Sequence, residues 1–229
     1  KKAIVVSSDI ISFCEVKLKI PRKDIVVGYN GVFEEKYRLY SEDEKKKVRE
    51  QYRIKAGQKV IVVLSRLDPV KGHKTVISAI EKADVDCVAL FTGESFTTGY
   101  KEKLQEIVKQ KRLENKVKFV GYVNPVEVLN ISDLFVLPSV NEGFPISMIE
   151  AFLLRVPVIR TRTGGYEDVK DFVIPMEGEK DLAQYLKLFM DGKLDINEKV
   201  EKGYKFAIKN CTCNAMTDRV LGIYKEVLR

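Results

Sequence analysis

Val60-Ile61-Val62-Val63-Leu64 is apolar at every position, and this run constrains the fold more than any other stretch. A strand with one wet face alternates apolar and polar side chains. A strand with no polar position has to be covered on both sides, as in a parallel sheet sandwiched between helices. Similar runs return at Cys87–Phe91, Leu134–Leu137 and Val156–Ile159, a strand with one lysine is expected at Val117–Val120, and Val173-Ile174 reads as a short edge strand. Between them lie stretches of helical periodicity at His73–Ala83, Tyr100–Lys111, Pro125–Asn130 and Ile146–Leu154. Ser41-Glu42-Asp43-Glu44 is a capping box that opens an amphipathic helix running to Arg53. Further helices are expected at Glu179–Met190, Ile196–Lys209 and Ala215–Leu228. Strands separated by helices of this length form βαβ units, so the predicted fold is α/β, a doubly wound, Rossmann-like parallel sheet.

The first thirty residues read differently. A strand at Ile4-Val5-Val6, a helix over Asp9–Lys19 and a strand at Ile25–Gly28 precede a loop-like stretch, Tyr29–Tyr40. Residues 1–30 are therefore expected to be the tail of a preceding domain plus a linker, and residues 31–229 a complete domain. Lys1–Asp9 meets an acid too early for a secretory leader, so the chain is expected to be a piece of a longer protein.

Composition removes several function classes. With 45% hydrophobic and 32% charged residues the chain is globular, and no apolar run reaches the roughly 18–20 residues of a membrane span. The net charge of +7 comes from mixed-sign helix faces such as Glu42-Asp43-Glu44-Lys45-Lys46-Lys47, which argues against a nucleic-acid partner. Excess positive charge remains compatible with a phosphorylated ligand or an anionic membrane surface. Cys14, Cys87, Cys211 and Cys213 form no metal-binding spacing, and His73 is the only histidine. No metal site is expected, and the cysteines fit a reducing, cytosolic setting.

Two stretches carry candidate chemistry. In the first, strand Leu134–Leu137 runs through Pro138-Ser139 to Glu142-Gly143-Phe144-Pro145 and then a helix containing Glu150. Strand, tight turn and helix N-terminus is the arrangement with which open α/β sheets bind nucleotides. Pro145 suits the first helical position, and Glu142 and Glu150 could face one cleft. They could equally be a helix-start acid and an exposed helix acid. In the second, Ser65-Arg66-Leu67-Asp68-Pro69-Val70-Lys71-Gly72-His73 follows the strongest strand. Arg66 would emerge at the strand's carboxyl end and Lys71 at the next helix N-terminus, a pair suited to a diphosphate or else two solvated loop cations. His73 reads as a surface residue at a helix start. Neither a P-loop nor a G-x-G-x-x-G sequence occurs. Phe119-Val120-Gly121-Tyr122-Val123 and Thr163-Gly164-Gly165 mark further strand ends where glycine permits close approach.

Taken in order, Asn30-Gly31-Val32, Arg66-Leu67 with Lys71-Gly72-His73, Phe119–Val123, Ser132–Ser139, Glu142–Pro145 with Glu150-Ala151, Pro157–Ile159 and Gly164-Gly165 resemble the C-terminal, donor-binding domain of GT-B fold, family 4 glycosyltransferases. The resemblance implies retaining transfer of a hexose from a nucleotide-diphosphate sugar, a UDP-sugar favoured over a GDP-sugar, to a glycan or lipid-linked acceptor. No metal or other cofactor is implied. Arg66 and Lys71 would hold the diphosphate and stabilise it as leaving group. Glu142, Gly143, Phe144, Pro145 and Ile146 would surround the sugar, Glu150 would meet the ribose, and Val120, Gly121 and Tyr122 would border the base. An N-terminal acceptor domain would complete the enzyme, in the cytoplasm and with a peripheral place at the inner face of a membrane open to it. By itself this half would transfer little sugar. A non-catalytic nucleotide-sugar binding module is the alternative, and glycoside hydrolysis by Glu142 and Glu150 a third class, which requires the two carboxyls roughly 5–5.5 Å apart. Two departures stand out: Gly-Phe-Pro where many members carry Gly-Phe-Gly, and a long Thr92–Gly99 segment in place of a short glycine turn.

Overall fold

The structure, a computed structural model, describes residues 1–228. The chain opens with β1 (Ala3–Val5), α1 (Ile10–Val16) and β2 (Ile25–Val27), and the two strands pair in parallel as a small separate sheet. Then follow α2 (Glu42–Gln51), β3 (Lys59–Val63), α3 (His73–Ala83), β4 (Cys87–Thr92), α4 (Tyr100–Gln110), β5 (Val117–Gly121), α5 (Pro125–Asn130), β6 (Leu134–Leu137), α6 (Ile146–Leu153), β7 (Val158–Thr161), β8 (Ile174–Met176), α7 (Glu179–Met190), α8 (Asn197–Asn210) and α9 (Cys213–Val227). Strands β3 to β8 form one parallel sheet in the order β5-β4-β3-β6-β7-β8. The doubly wound sheet expected from the sequence is the one observed, with β8 at its edge. Among the described residues no helix is long and apolar enough to cross a membrane.

The all-apolar strand has two cores to serve. Val60 and Val62 join Val88, Leu90, Phe135 and Leu137 on one face, while Ile61 and Val63 join Ala89, Phe91, Leu134 and Val136 on the other. Successive side chains point to opposite faces, so a strand covered on both sides has no polar position to spare.

Element ends differ from expectation where local chemistry intervenes. Helix α1 is shorter than Asp9–Lys19 because Lys19 takes a left-handed φ of 57° and Ile20 precedes Pro21, which disfavours helix before it. Helix α9 starts two residues early because the Thr212 side chain accepts from the Ala215 N–H. The capping box of α2 forms as expected: Ser41 Oγ accepts from Glu44 N–H, and Glu44 accepts from Ser41 N–H. Ser41→Ala should therefore lower stability by about 1 kcal/mol, read as a lower urea midpoint at unchanged slope.

The strand order fixes where a ligand can enter. From β3 the chain winds outward through β4 and β5, then returns to the other side of β3 as β6 and winds outward through β7 and β8. The crossovers at the β3 and β6 carboxyl ends thus diverge, leaving the crevice in which open α/β sheets bind ligands.

Candidate functional site

At that crevice the loops after β3 and β6 meet. Asp68 caps a 3-10 turn, Pro69–Lys71, by accepting from Val70 N–H at 2.9 Å, and Lys71 N–H donates to the Asp68 carbonyl at 2.9 Å. Val140 N–H donates to the Val70 carbonyl at 2.8 Å, tying the β6 exit loop to this turn. Gly72 closes the turn with φ 69°, and a Cβ placed there would lie 2.1 Å from the Pro138 carbonyl oxygen. Only glycine fits so close a left-handed approach.

An open hollow of about 830 Å³ lies over these loops. Arg66, Lys71, Tyr122, Glu142, Gly143, Phe144, Pro145 and Ile146 all line it, together with Val6, Asn30, Ser65 and Ser147. Arg66 is exposed. Lys71 Nζ donates to Glu142 Oε1 at 2.7 Å, with side chains only 18% and 10% exposed. Pro145, expected at the first helical position, is instead the residue just before α6, with φ −67° and ψ 128°, so the helix begins one residue later than the sequence suggested. It offers no side-chain cap, so the α6 first turn keeps N–H groups without intrahelical partners, at a helix end whose Ile146 and Ser147 line the hollow with Arg66 and Lys71. Cations and helix N–H groups converging on one space suit an anion such as a diphosphate.

Val120, Gly121 and Glu150 lie outside this hollow, and Phe144 meets it without giving it its ring. Phe144 gives its ring to the core, 4.8 Å from the Tyr29 ring, and its carbonyl accepts from Asn30 Nδ2 at 2.7 Å. Val120 packs partly buried on the core, and Gly121 ends β5 with its carbonyl taken by Gly93 N–H at 2.6 Å. Of that trio Tyr122 alone reaches the hollow, 87% exposed. Glu150 does not share the hollow with Glu142. It is buried, accepts from the Tyr37 hydroxyl at 2.6 Å and lines a neighbouring hollow of about 460 Å³. Burial pushes its carboxyl above the ordinary range, against the lowering effect of the Tyr37 hydrogen bond. Two acids with separate partners in separate hollows do not flank one bond, which counts against the hydrolase reading. The long segment after β4 backs the site from below: Gly93 packs on the Ser65 carbonyl and Leu67 N–H donates to Glu94 O at 3.0 Å.

His73 is not a surface residue. It is fully buried, its Nε2 lies 3.4 Å from Ser65 Oγ, and its ring meets Phe91 edge-on at 5.1 Å. Burial pulls its pKa down to about 4, so it is neutral at physiological pH and joins the two ends of the Arg66–Lys71 loop. The signal was present in the sequence: positions 73, 76, 77, 80 and 83 form the buried stripe of α3. Arg160, also fully buried, was missed. Its guanidinium donates to the carbonyls of Thr161, Thr163 and Gly164 and to Thr163 Oγ1. It thereby shapes the glycine loop on which Glu142 rests, where a Cβ at Gly164 would meet the Glu142 carbonyl oxygen at 2.1 Å. Burial lowers the Arg160 pKa to about 10, leaving it charged.

Another hollow, of about 550 Å³ at the amino ends of β3 and β6, is also lined by cations, and three of them are engaged. Lys45 pairs with Glu42, Lys59 with Asp133, and Arg49 donates to the Lys55 and Gln58 carbonyls.

Comparison with known proteins bears on the chain as a whole. The family model described as glycosyl transferases group 1 matches residues 44–208. The chain is 32% identical over 154 residues to N-acetyl-alpha-D-glucosaminyl L-malate synthase of Bacillus anthracis, covering 65% of this chain and 38% of that protein. It is 34% identical over 119 residues to 2-deoxystreptamine N-acetyl-D-glucosaminyltransferase of Niallia circulans, covering 49% of this chain and 30% of that protein. Among solved structures, a glycosyltransferase from Rickettsia africae ESF-5 superposes with a TM-score of 0.91 at 24% identity, covering 100% of this chain and 64% of that one. Anabaena Alr3699/HepE in complex with UDP-glucose superposes at 0.89 and 20% identity, covering 98% and 64%. The chain thus spans about a third of the length of these curated relatives and about two thirds of the solved chains.

Proposed function

The chain belongs to the glycosyl transferases group 1 family, and on that premise we propose that it is the donor-binding part of a retaining hexosyltransferase. The sugar passes from a nucleotide-diphosphate donor, a UDP-sugar in preference to a GDP-sugar, to a hydroxyl of a glycan or lipid-linked acceptor. The observation that carries the reading is the convergence of Arg66, Lys71, Glu142 and the α6 N-terminus on one hollow at the sheet's switch point. Solved Alr3699/HepE complexes contain UDP and UDP-glucose, which supports a uridine donor here.

In this reading Arg66 and Lys71 hold the diphosphate and neutralise the charge that grows on it as the glycosidic bond breaks. A fixed charge aimed at a developing one accelerates the step itself. Glu142 releases Lys71 to the phosphates and accepts hydrogen bonds from the sugar hydroxyls. The protein's own cations meet the diphosphate, so donor binding is expected to need no metal. Acceptor contacts come from an N-terminal domain of the complete protein, which works in the cytoplasm at the inner face of a membrane, and the present residues alone transfer little sugar.

Calorimetry tests the site. UDP should bind, binding should survive EDTA, and Arg66→Ala should weaken it by about tenfold, as for a lost charge-assisted hydrogen bond. A wild-type protein that binds neither UDP nor GDP, or an Arg66→Ala variant that binds as wild type, removes the assignment.

A further inference from the structure

We propose that Tyr37 is a positioning residue of the donor site, its hydroxyl fixing one carboxylate oxygen of Glu150 so that the other is presented to the ribose of the nucleotide. The proposal rests on the functional reading above and adds to it a residue 113 positions away in sequence.

A carboxylate in an apolar helix face is unstable unless it is hydrogen-bonded. Glu150 stands among the buried Met148, Ile149, Ala151 and Phe152 of α6, and the 2.6 Å bond from Tyr37 satisfies Oε1. Oε2 takes no hydrogen bond among the described residues, and Glu150 lines the 460 Å³ hollow beside Tyr37, Tyr40, Asn124 and Pro125. One oxygen is held and one is offered.

The hydroxyl is itself fixed. A 3-10 turn, Glu34–Lys36, leads into Tyr37, whose N–H donates to the Glu34 carbonyl at 3.0 Å. On the other side Asn130 clamps the backbone: its Nδ2 donates to the Arg38 carbonyl at 3.0 Å and its Oδ1 accepts from Tyr40 N–H at 2.7 Å. Asn130 in turn is anchored to α5 through the Val126 carbonyl at 2.9 Å. A ring held at both flanks keeps the Glu150 carboxylate in one rotamer, and a preorganised acceptor loses little freedom when the ligand arrives.

The hollow also adjoins the diphosphate crevice. Tyr122 lines one and Asn124 the other, on a single loop, while Ile146 and Glu150 lie one turn apart on α6. A nucleotide with its diphosphate at Arg66 and Lys71 therefore has its nucleoside end directed towards Glu150.

The test compares UDP with 2′-deoxy-UDP on the full-length protein, by calorimetry, for wild type, Tyr37→Phe, Glu150→Gln and the double variant. Wild type should prefer UDP by about tenfold, the size of one hydrogen bond to a charged acceptor. Tyr37→Phe should cut that preference several-fold by weakening UDP while leaving 2′-deoxy-UDP nearly unchanged, and should change nothing further in Glu150→Gln. The preference is a ratio measured on one sample, so partial unfolding of a variant does not alter it. Equal losses for both nucleotides in Tyr37→Phe would show a merely structural tyrosine and overturn the proposal. A wild-type preference in Tyr37→Phe, with Glu150→Gln impaired, overturns it alone. A Glu150→Gln variant that binds UDP as wild type overturns the ribose contact and the proposal with it.

Discussion

Lys71→Ala in the complete enzyme is expected to lower the transfer rate on the order of 10²- to 10³-fold, the effect of removing one fixed group that stabilises a developing negative charge. Two losses combine. The leaving diphosphate forfeits a cation, and Glu142, only 10% exposed, is left without its partner and facing the phosphates. The second loss acts on donor affinity, because a buried carboxylate deprived of its counter-ion repels an incoming anion. Lys71→Ala/Glu142→Gln separates them: donor affinity should recover towards wild type, while the rate stays low. Steady-state kinetics with saturating and limiting donor reads both. A Lys71→Ala enzyme with a rate within a few-fold of wild type would remove Lys71 from the chemistry.

The largest expected effect on stability is at Gly72. An alanine there adopts a left-handed backbone, which costs about 1–2 kcal/mol, and its Cβ would stand 2.1 Å from the Pro138 carbonyl oxygen. Backbone cannot yield as a flexible side chain does, so the turn or the β6 exit loop has to move, at a total of about 3 kcal/mol or more. For a chain of this size that is a fall in thermal midpoint of roughly 6–12 °C. Gly57 is the control, since its φ of 74° is as positive but no atom lies within 4 Å of an added Cβ. Gly57→Ala should show the conformational cost alone, and equal losses at the two glycines would contradict the close approach. Any movement at Gly72 also carries Lys71 away from Glu142, so donor affinity should fall together with stability.

The sheet was legible because its signal is local. Apolar runs, a capping box and the spacing between them specify βαβ units without any knowledge of distant contacts, and the switch-point rule then places residues after β3 and β6 together. That is why Arg66, Lys71 and Glu142 could be grouped from the sequence and lie around one hollow in the structure. Glu150 was placed with them because a helix position gives height along an axis but not the direction of the side chain relative to a neighbouring loop. Its partner Tyr37 belongs to a segment that reads as loop, and nothing near either residue announces the other. Arg160 was invisible for a related reason. In Val158-Ile159-Arg160-Thr161 a basic residue late in a strand resembles one pointing to water, and only the returning glycine loop supplies the carbonyls that bury it. His73 was a different failure, a polar residue on an apolar stripe read by its type instead of its position.

Arg160 has a consequence for the chemistry of the loop it holds. Three carbonyls and a hydroxyl gathered around one positive charge make a coordination sphere of the kind that a bound ion could fill, except that here the cation is covalently attached to β7. It cannot be chelated, exchanged or diluted away. The curve of chain beneath Glu142 should therefore keep its shape over wide ranges of ionic strength and of divalent-ion concentration, and changes of solution that perturb donor binding would act on the exposed Arg66 and leave the floor of the site untouched.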